Sequence, residues 1–270
     1  TSGVVSATIM KDMFNNVGDN GNGNFSFSST KQLANKCLFT DTAMFHGWMD
    51  NLAAASNDNG MTASNGQAGT LSSGTSTYLF DANGVEHVQL IEKGLMGAVF
   101  LYQATNVYFG SGKMDVDNTT PADEAAGKYY TSMEHHWDEA FGYFGAPIDF
   151  LTSTESFRFW AKYCDKRNAQ LSSNTAMMNS FLTGRTAIVN NDLVTRNQQI
   201  TIIIDMWEKI SAAQAVAYLQ GAQDNFGTDN AKFLHELSEA YAFVLSLKYI
   251  PSANQTITQT QINTILDTHI

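Results

Sequence analysis

Apolar residues recur at spacings of three and four along most of the chain, which reads as a succession of amphipathic helices. Val4 to Asn15 is the first. It is followed by a loop at Gly18 to Asn24, where Gly and Asn alternate and no core can form. Ser28 or Ser29 is placed to cap a short helix ending at Cys37. Thr40 or Asp41 is placed to cap the next, which runs to about Ala55 with Phe45, Trp48, Met49 and Leu52 on one face. The polar stretch from Ser56 to Ser76 is too long for an ordinary connection and predicts a packed excursion or a mobile lid. Asn83 then opens a helix from Val85 to Tyr108, with Leu90, Ile91, Leu95, Ala98, Leu101 and Tyr102 on its apolar face. Gly94 and Gly97 would let another helix approach it closely.

A second loop, Gly110 to Gly127, carries Asp115, Asp117, Asp123 and Glu124. A helix from Tyr129 to Phe144 stops at Gly145, with Pro147 just beyond, and further helices are predicted at 154–168, 174–190, 194–225, 229–249 and 258–268. Strand signals are nearly absent, because the β-prone run Thr201 to Ile204 sits inside a longer helical pattern. The expected fold class is all-α, with two packed helical bundles and long polar loops. The bundles would divide at 1–150 and 151–270, unless the whole is one continuous domain.

Charge narrows the partners. The chain has 26 acidic against 15 basic residues and a net charge of −11. The lysines and arginines are scattered singly, so the charge argues against nucleic acid and anionic membrane surfaces as partners and favours cations. Cys37 and Cys164 are too few for a disulfide scaffold and lack zinc-ligand spacing. The apolar run Ile200 to Ile204 is interrupted by Thr201 and is far too short for a membrane-spanning segment. Few arginines and prolines and much Asn, Ser, Thr and Gly suit an exported protein, whose signal would be removed or absent from a chain opening at Thr1.

One segment returns. His135-His136-Trp137-Asp138-Glu139-Ala140-Phe141-Gly142-Tyr143-Phe144 is echoed by His235-Glu236-Leu237-Ser238-Glu239-Ala240-Tyr241-Ala242-Phe243-Val244, with Glu139 over Glu239 and a histidine one turn upstream each time. An imidazole and a carboxylate one helical turn apart, beside an aromatic face, form half of a metal or proton-transfer site, and two copies suggest a duplicated helical unit. Met133, Trp137, Ala140, Phe141 and Phe144 make the buried stripe of the first copy, and His136, Glu139, Tyr143 and Ser132 lie on its flank. In the second copy His235, Glu239, Ala242 and Ser246 form one polar stripe. Established metal-helix templates do not fit, since Glu239 stands where a zincin needs histidine and Ala140 where an inverted zincin needs it. His136 and Glu139 remain as a chelating pair that would accept zinc, iron or manganese. Glu92, in a seam with Gln89, Met96, Val99 and Gln103, is the candidate third ligand, with His235 and Glu239 as second choices.

His136-Trp137-Asp138-Glu139 also carries a resemblance, together with Asn22 to Leu33, Glu92 to Ala98 and Asp115 to Thr120. Over nearly its whole length the chain resembles a group of exported bacterial lipoproteins of unknown function related to the imelysins. Imelysin-like proteins are two-bundle helical proteins of the periplasm or outer membrane, tied to iron uptake, and some are described as metallopeptidases. Of their signature Gly-x-His-x-x-Glu, His136 and Glu139 are present, while Glu134 stands at the glycine position. The resemblance implies a cell-envelope protein, at the periplasm or cell surface and lipid-anchored before processing. The leading expectation is a protein that binds iron, haem or another cation as an accessory to uptake. The alternatives are an imelysin-like metallopeptidase, or a non-catalytic protein whose partner is another envelope protein.

Overall fold

The computed structural model of the chain describes residues 3–268 and residue 270. Helices dominate: α1 (Ala7–Asn15), the single turn α2 (Leu33–Lys36), α3 (Thr42–Ser56), α4 (His87–Leu95), the single turn α5 (Ser111–Met114), α6 (Ser132–Phe144), α7 (Phe159–Leu171), α8 (Ser173–Val189), α9 (Leu193–Asn225), α10 (Asn230–Ser246) and α11 (Gln259–Thr268). Strands among the described residues form two antiparallel pairs, β1 (Gly69–Ser73) with β2 (Ser76–Phe80) and β3 (Pro121–Asp123) with β4 (Lys128–Thr131). The fold is all-α, as the spacing of apolar residues predicts. No helix among the described residues is long and apolar enough to cross a membrane.

Local chemistry explains where elements depart from the sequence reading. No cap forms at Ser28 or Ser29, and only one helical turn precedes Cys37. There Asn16, in the left-handed conformation at φ 48°, donates its side-chain amide to the Ser29 and Lys31 carbonyls and holds the segment in turns. The polar stretch after Ser56 leads into the β1–β2 hairpin. Gly69 is required there, since a Cβ would stand 2.5 Å from the Met61 carbonyl oxygen. Leu79 of β2 then packs with Leu52 and Ala55 of α3. The helix expected from Tyr129 begins instead at Ser132, because Lys128–Thr131 pairs with β3 and Thr131 and Glu134 close a reciprocal capping box. Its end at Gly145, φ 79°, is as expected.

The chain forms two compact units, each assembled from separated stretches. Unit 1 holds Thr1–Val99, Ala215–Leu245 and Leu266–Ile270; unit 2 holds Phe100–Gln214 and Ser246–Ile265. In unit 1, α3 buries Phe45, Met49 and Leu52, with Phe45 edge-on to Trp48 at 5.2 Å. A Cβ at Gly94 would lie 3.0 Å from both rings, so this glycine lets α4 approach α3, as its position suggests. In unit 2 the core is aromatic: Trp137, Trp160, Trp207, Tyr163, Phe144 and Phe150 are fully buried. The Trp137 indole lies across Gly184 of α8, where a Cβ would be 2.2 Å from the ring, and its Nε1 donates to the Phe181 carbonyl at 3.0 Å. These contacts fix the rotation of α6 and hence the direction of its His–Glu face.

Beyond α4 the backbone continues in π-helical turns, Met96–Leu101 and Gln103–Tyr108. A π turn takes in one residue more than an α turn, so the three-four seam expected along this segment is lost. Met96, Val99 and Gln103 are buried, but Glu92 faces solvent.

Candidate functional site

The two copies of the His–Glu segment belong to different units and have opposite electrostatic fates. In unit 1, α10 carries His235 and Glu239. The imidazole Nδ1 meets Glu86 Oε2 at 2.6 Å and its Nε2 meets Glu239 Oε2 at 3.2 Å, while the Tyr78 ring stacks on it at 4.2 Å. Tyr218 of α9 donates its hydroxyl to Glu239 Oε1 at 3.0 Å, and Lys93 Nζ stands 3.8 Å from that oxygen and 2.7 Å from Glu92. Burial pushes the His235 pKa down, but hydrogen bonds to Glu239 and Glu86 and the charges of both reverse this and carry it up to about 9. Burial works against ionisation of Glu239, and the His235 hydrogen bond and charge, the Lys93 charge and the Tyr218 hydroxyl together hold its carboxyl below the usual range. The imidazole is therefore protonated at neutral pH and donates from both nitrogens. It has no lone pair left for a metal, and its carboxylate partners are already matched by cations.

In unit 2, α6 carries His136 and Glu139, with His136 Nδ1 3.3 Å and His135 Nε2 3.7 Å from Glu139 Oε2. Tyr108, at the end of the π-helical segment, donates its hydroxyl to Glu139 Oε1 at 3.2 Å. Each glutamate of the repeated pair thus receives a tyrosine hydroxyl from another helix, Tyr108 or Tyr218, and the sequence echo extends to that contact. The environments then diverge. Glu139 keeps 36% of its side-chain surface exposed against 9% for Glu239. Burial lowers the His136 pKa, as do the charges of Lys113 and His135, and the Glu139 hydrogen bond offsets this only in part, so the ring is neutral near pH 7. Among the described residues no lysine or arginine forms an ion pair with Glu139; Lys113 sits instead over the Tyr108 ring, 5.8 Å from its centre. Burial and the Glu139 charge push the Tyr108 hydroxyl well above its ordinary pKa and also raise that of Tyr143.

Glu139 also lines an open pocket of about 570 Å³ together with Phe100, Gly142, Tyr143, Gly145 and Phe159. The Phe100 and Phe159 rings meet at 88° with centres 5.1 Å apart, and Phe100 lies 6.2 Å from Tyr143. A Cβ at Gly142 or Gly145 would meet nothing within 4 Å, so these glycines leave the floor open. Phe159 is 44% exposed and has φ 47°, a backbone conformation that bulky side chains avoid.

A family described as a domain of unknown function (DUF4856) matches residues 17–270. The chain belongs to this family. No curated protein and no solved structure matches this DUF4856 chain.

Of the residues singled out in the DUF4856 sequence, His136 and Glu139 are brought together in unit 2, and His235 and Glu239 in unit 1. Glu92 belongs to unit 1, where it pairs with Lys93. Among the described residues no three His, Cys, Asp or Glu side chains converge to hold an ion. His136 and Glu139 hydrogen-bond each other rather than opening a shared bite, and the raised Tyr108 pKa disfavours a tyrosinate ligand. No histidine lines the pocket, so haem would find no axial imidazole there. The residues present do not fit a resident metal or haem. The acidic loop is spent on turns: Asp117 accepts from the Thr119 and Thr120 amides and the Thr119 hydroxyl, which hold its carboxyl at about 2.

Sequence reasoning missed Glu86, Tyr78, Tyr218, Tyr108, Phe100 and Phe159. Glu86 falls inside the helix expected from Val85 but in the structure precedes the first residue of α4, so the expected helical face does not apply to it. Tyr218 is one of many half-buried positions in a long helix, and Phe100 and Tyr108 fall where π turns displace the expected faces.

Proposed function

We propose that this chain is a cation-binding protein whose binding group is Glu139 in unit 2. One observation carries the reading. A negative carboxylate, surrounded by neutral hydrogen-bond partners, opens onto a pocket in a chain of strongly negative net charge. Its counterpart Glu239 is neutralised inside the protein by His235 and Lys93, so the repeated motif supports one sealed, structural copy and one open copy. The field of the acidic surface raises the local concentration of cations, and Glu139 supplies the charge that holds one. A role at the cell envelope, with relation to the imelysins and lipid anchoring, goes with this reading through the sequence resemblance. Within it, uptake of a cation is the natural task, and the donor count favours a cation held by charge and contact over a coordinated metal.

The test is calorimetric titration of wild type and Glu139→Gln at pH 7.5 with zinc, ferrous iron, guanidinium and tetramethylammonium. The reading expects at least one cation to bind wild type and to lose tenfold or more in affinity in the variant. Equal affinities, or no binding of any cation, would remove it.

A further inference from the structure

The geometry points to an organic ammonium ion, carrying its charge on alkylated nitrogen, as the ligand of the Glu139 pocket. This rests on the cation-binding reading and narrows it to one chemical class. Three features of the pocket select that class. Its wall is aromatic, with Phe100 and Phe159 set at right angles as two sides of a corner and Tyr143 beyond Phe100. Aromatic faces attract a cation through their quadrupoles and do so best when the ion carries little bound water. An alkylated ammonium meets that condition, whereas a small metal ion or a primary ammonium would exchange tightly held water for ring faces. Next, the only carboxylate in the lining is Glu139, and both its oxygens already accept hydrogen bonds, from Tyr108 and His136. It offers a charge at contact distance more readily than the two free, parallel acceptors that a guanidinium fork prefers. Finally, a volume of about 570 Å³ exceeds what a bare ion fills and suits a head group with an attached body.

Phe159 supplies an independent pointer. Its φ of 47° is strained for a bulky residue, yet 44% of the residue remains exposed. Burial of the ring in a core does not account for holding it in that conformation, whereas presenting one wall of a binding corner does. Arg158 precedes Phe159 in the chain and is exposed, Lys113 lies over the Tyr108 ring, and neither lines the pocket.

The decisive comparison uses choline and its uncharged isostere 3,3-dimethylbutan-1-ol, which share a shape and differ in charge. Each is titrated into wild type, Glu139→Gln, Phe159→Leu and Phe159→Tyr, with zinc and guanidinium as parallel ligands and circular dichroism confirming that every variant folds. Choline should bind wild type at least tenfold more tightly than the isostere and lose tenfold or more in Glu139→Gln. Phe159→Leu should weaken it roughly three- to tenfold, by loss of a π face while apolar area is kept, and Phe159→Tyr should restore it. Equal binding of choline and the isostere would make the pocket a plain apolar groove and overturn the inference. Zinc or guanidinium binding through Glu139 without choline would overturn it too, while leaving the broader cation reading intact. Absence of all binding would remove both.

Discussion

The Glu86–His235–Glu239 clamp makes a quantitative prediction about stability. A histidine whose pKa is raised by folding contributes stability that is fully present below its unfolded pKa of 6.5 and is lost as pH rises through about 9. That rise is equivalent to roughly 3 kcal/mol at about 1.36 kcal/mol per pH unit. The His235 side chain keeps 13% of its surface in water, and screening reduces the expected effect to roughly 2 kcal/mol. Glu239 has the opposite sign: its stability contribution is present above 4.5 and is lost as pH falls through its lowered pKa. The interaction is therefore complete between 4.5 and 6.5. The perturbation is His235→Gln, which keeps one donor and removes the titration. At pH 6 it should destabilise unit 1 by roughly 3–5 kcal/mol, the cost of leaving buried carboxylates without their cation. Between pH 6 and 10 the gap between wild type and variant should narrow by roughly 2 kcal/mol. Urea melts at fixed ionic strength measure it. Trp48 is the only tryptophan of unit 1, so a fluorotryptophan resonance at that position reports this unit alone. A gap that stays constant from pH 6 to 10 would show that His235 is not held as an imidazolium and would refute the clamp.

Other predictions concern unit 2. Trp137→Ala should cost roughly 3–5 kcal/mol by leaving a cavity over Gly184, whereas His136→Ala should cost less than about 1 kcal/mol because its ring supports no core; thermal melts separate the two. Gly184→Ala should be as damaging as Trp137→Ala in the same melts, since its methyl group would enter the indole ring. Gly142→Leu should raise helix stability by roughly 1 kcal/mol and abolish cation binding by filling the pocket floor, a combination that melts and calorimetry on one sample would reveal. Cation affinity should fall as pH drops through the His136 pKa, which burial holds below 6.5, because protonated His136 would neutralise Glu139. In a pH series of titrations, affinity that is flat or rises toward acid would contradict this.

Much of this architecture is legible in the sequence because helical burial repeats. Met133, Trp137, Ala140, Phe141 and Phe144 fall on one face of α6 by spacing alone, and all but the half-buried Phe141 are buried. The hairpin is hidden because β1 and β2 are short and rich in Ser and Thr, with their apolar residues mainly at the Leu79–Phe80 end. The His–Glu repeat is legible as a pattern, but its meaning depends on tertiary neighbours. His235 becomes an imidazolium because Glu86, about 150 positions away in sequence, closes on its second nitrogen. His136 lacks that second carboxylate, and no spacing rule could foresee the difference. The pocket is the least legible feature, since π turns set the Phe100 and Tyr108 positions and one strained backbone angle sets Phe159.

The contrast between an open Glu139 and a sealed Glu239 is most directly read from the side-chain carboxyl carbons of the two glutamates. With glutamate labelled at Cδ, and Glu139→Gln and Glu239→Gln used to assign the signals, choline and the other cations are titrated at pH 7.5 while both resonances are followed. The Glu139 carboxyl should shift saturably with at least one cation, while Glu239 stays fixed. A shift at Glu239, or none at Glu139 with any cation, would contradict the account.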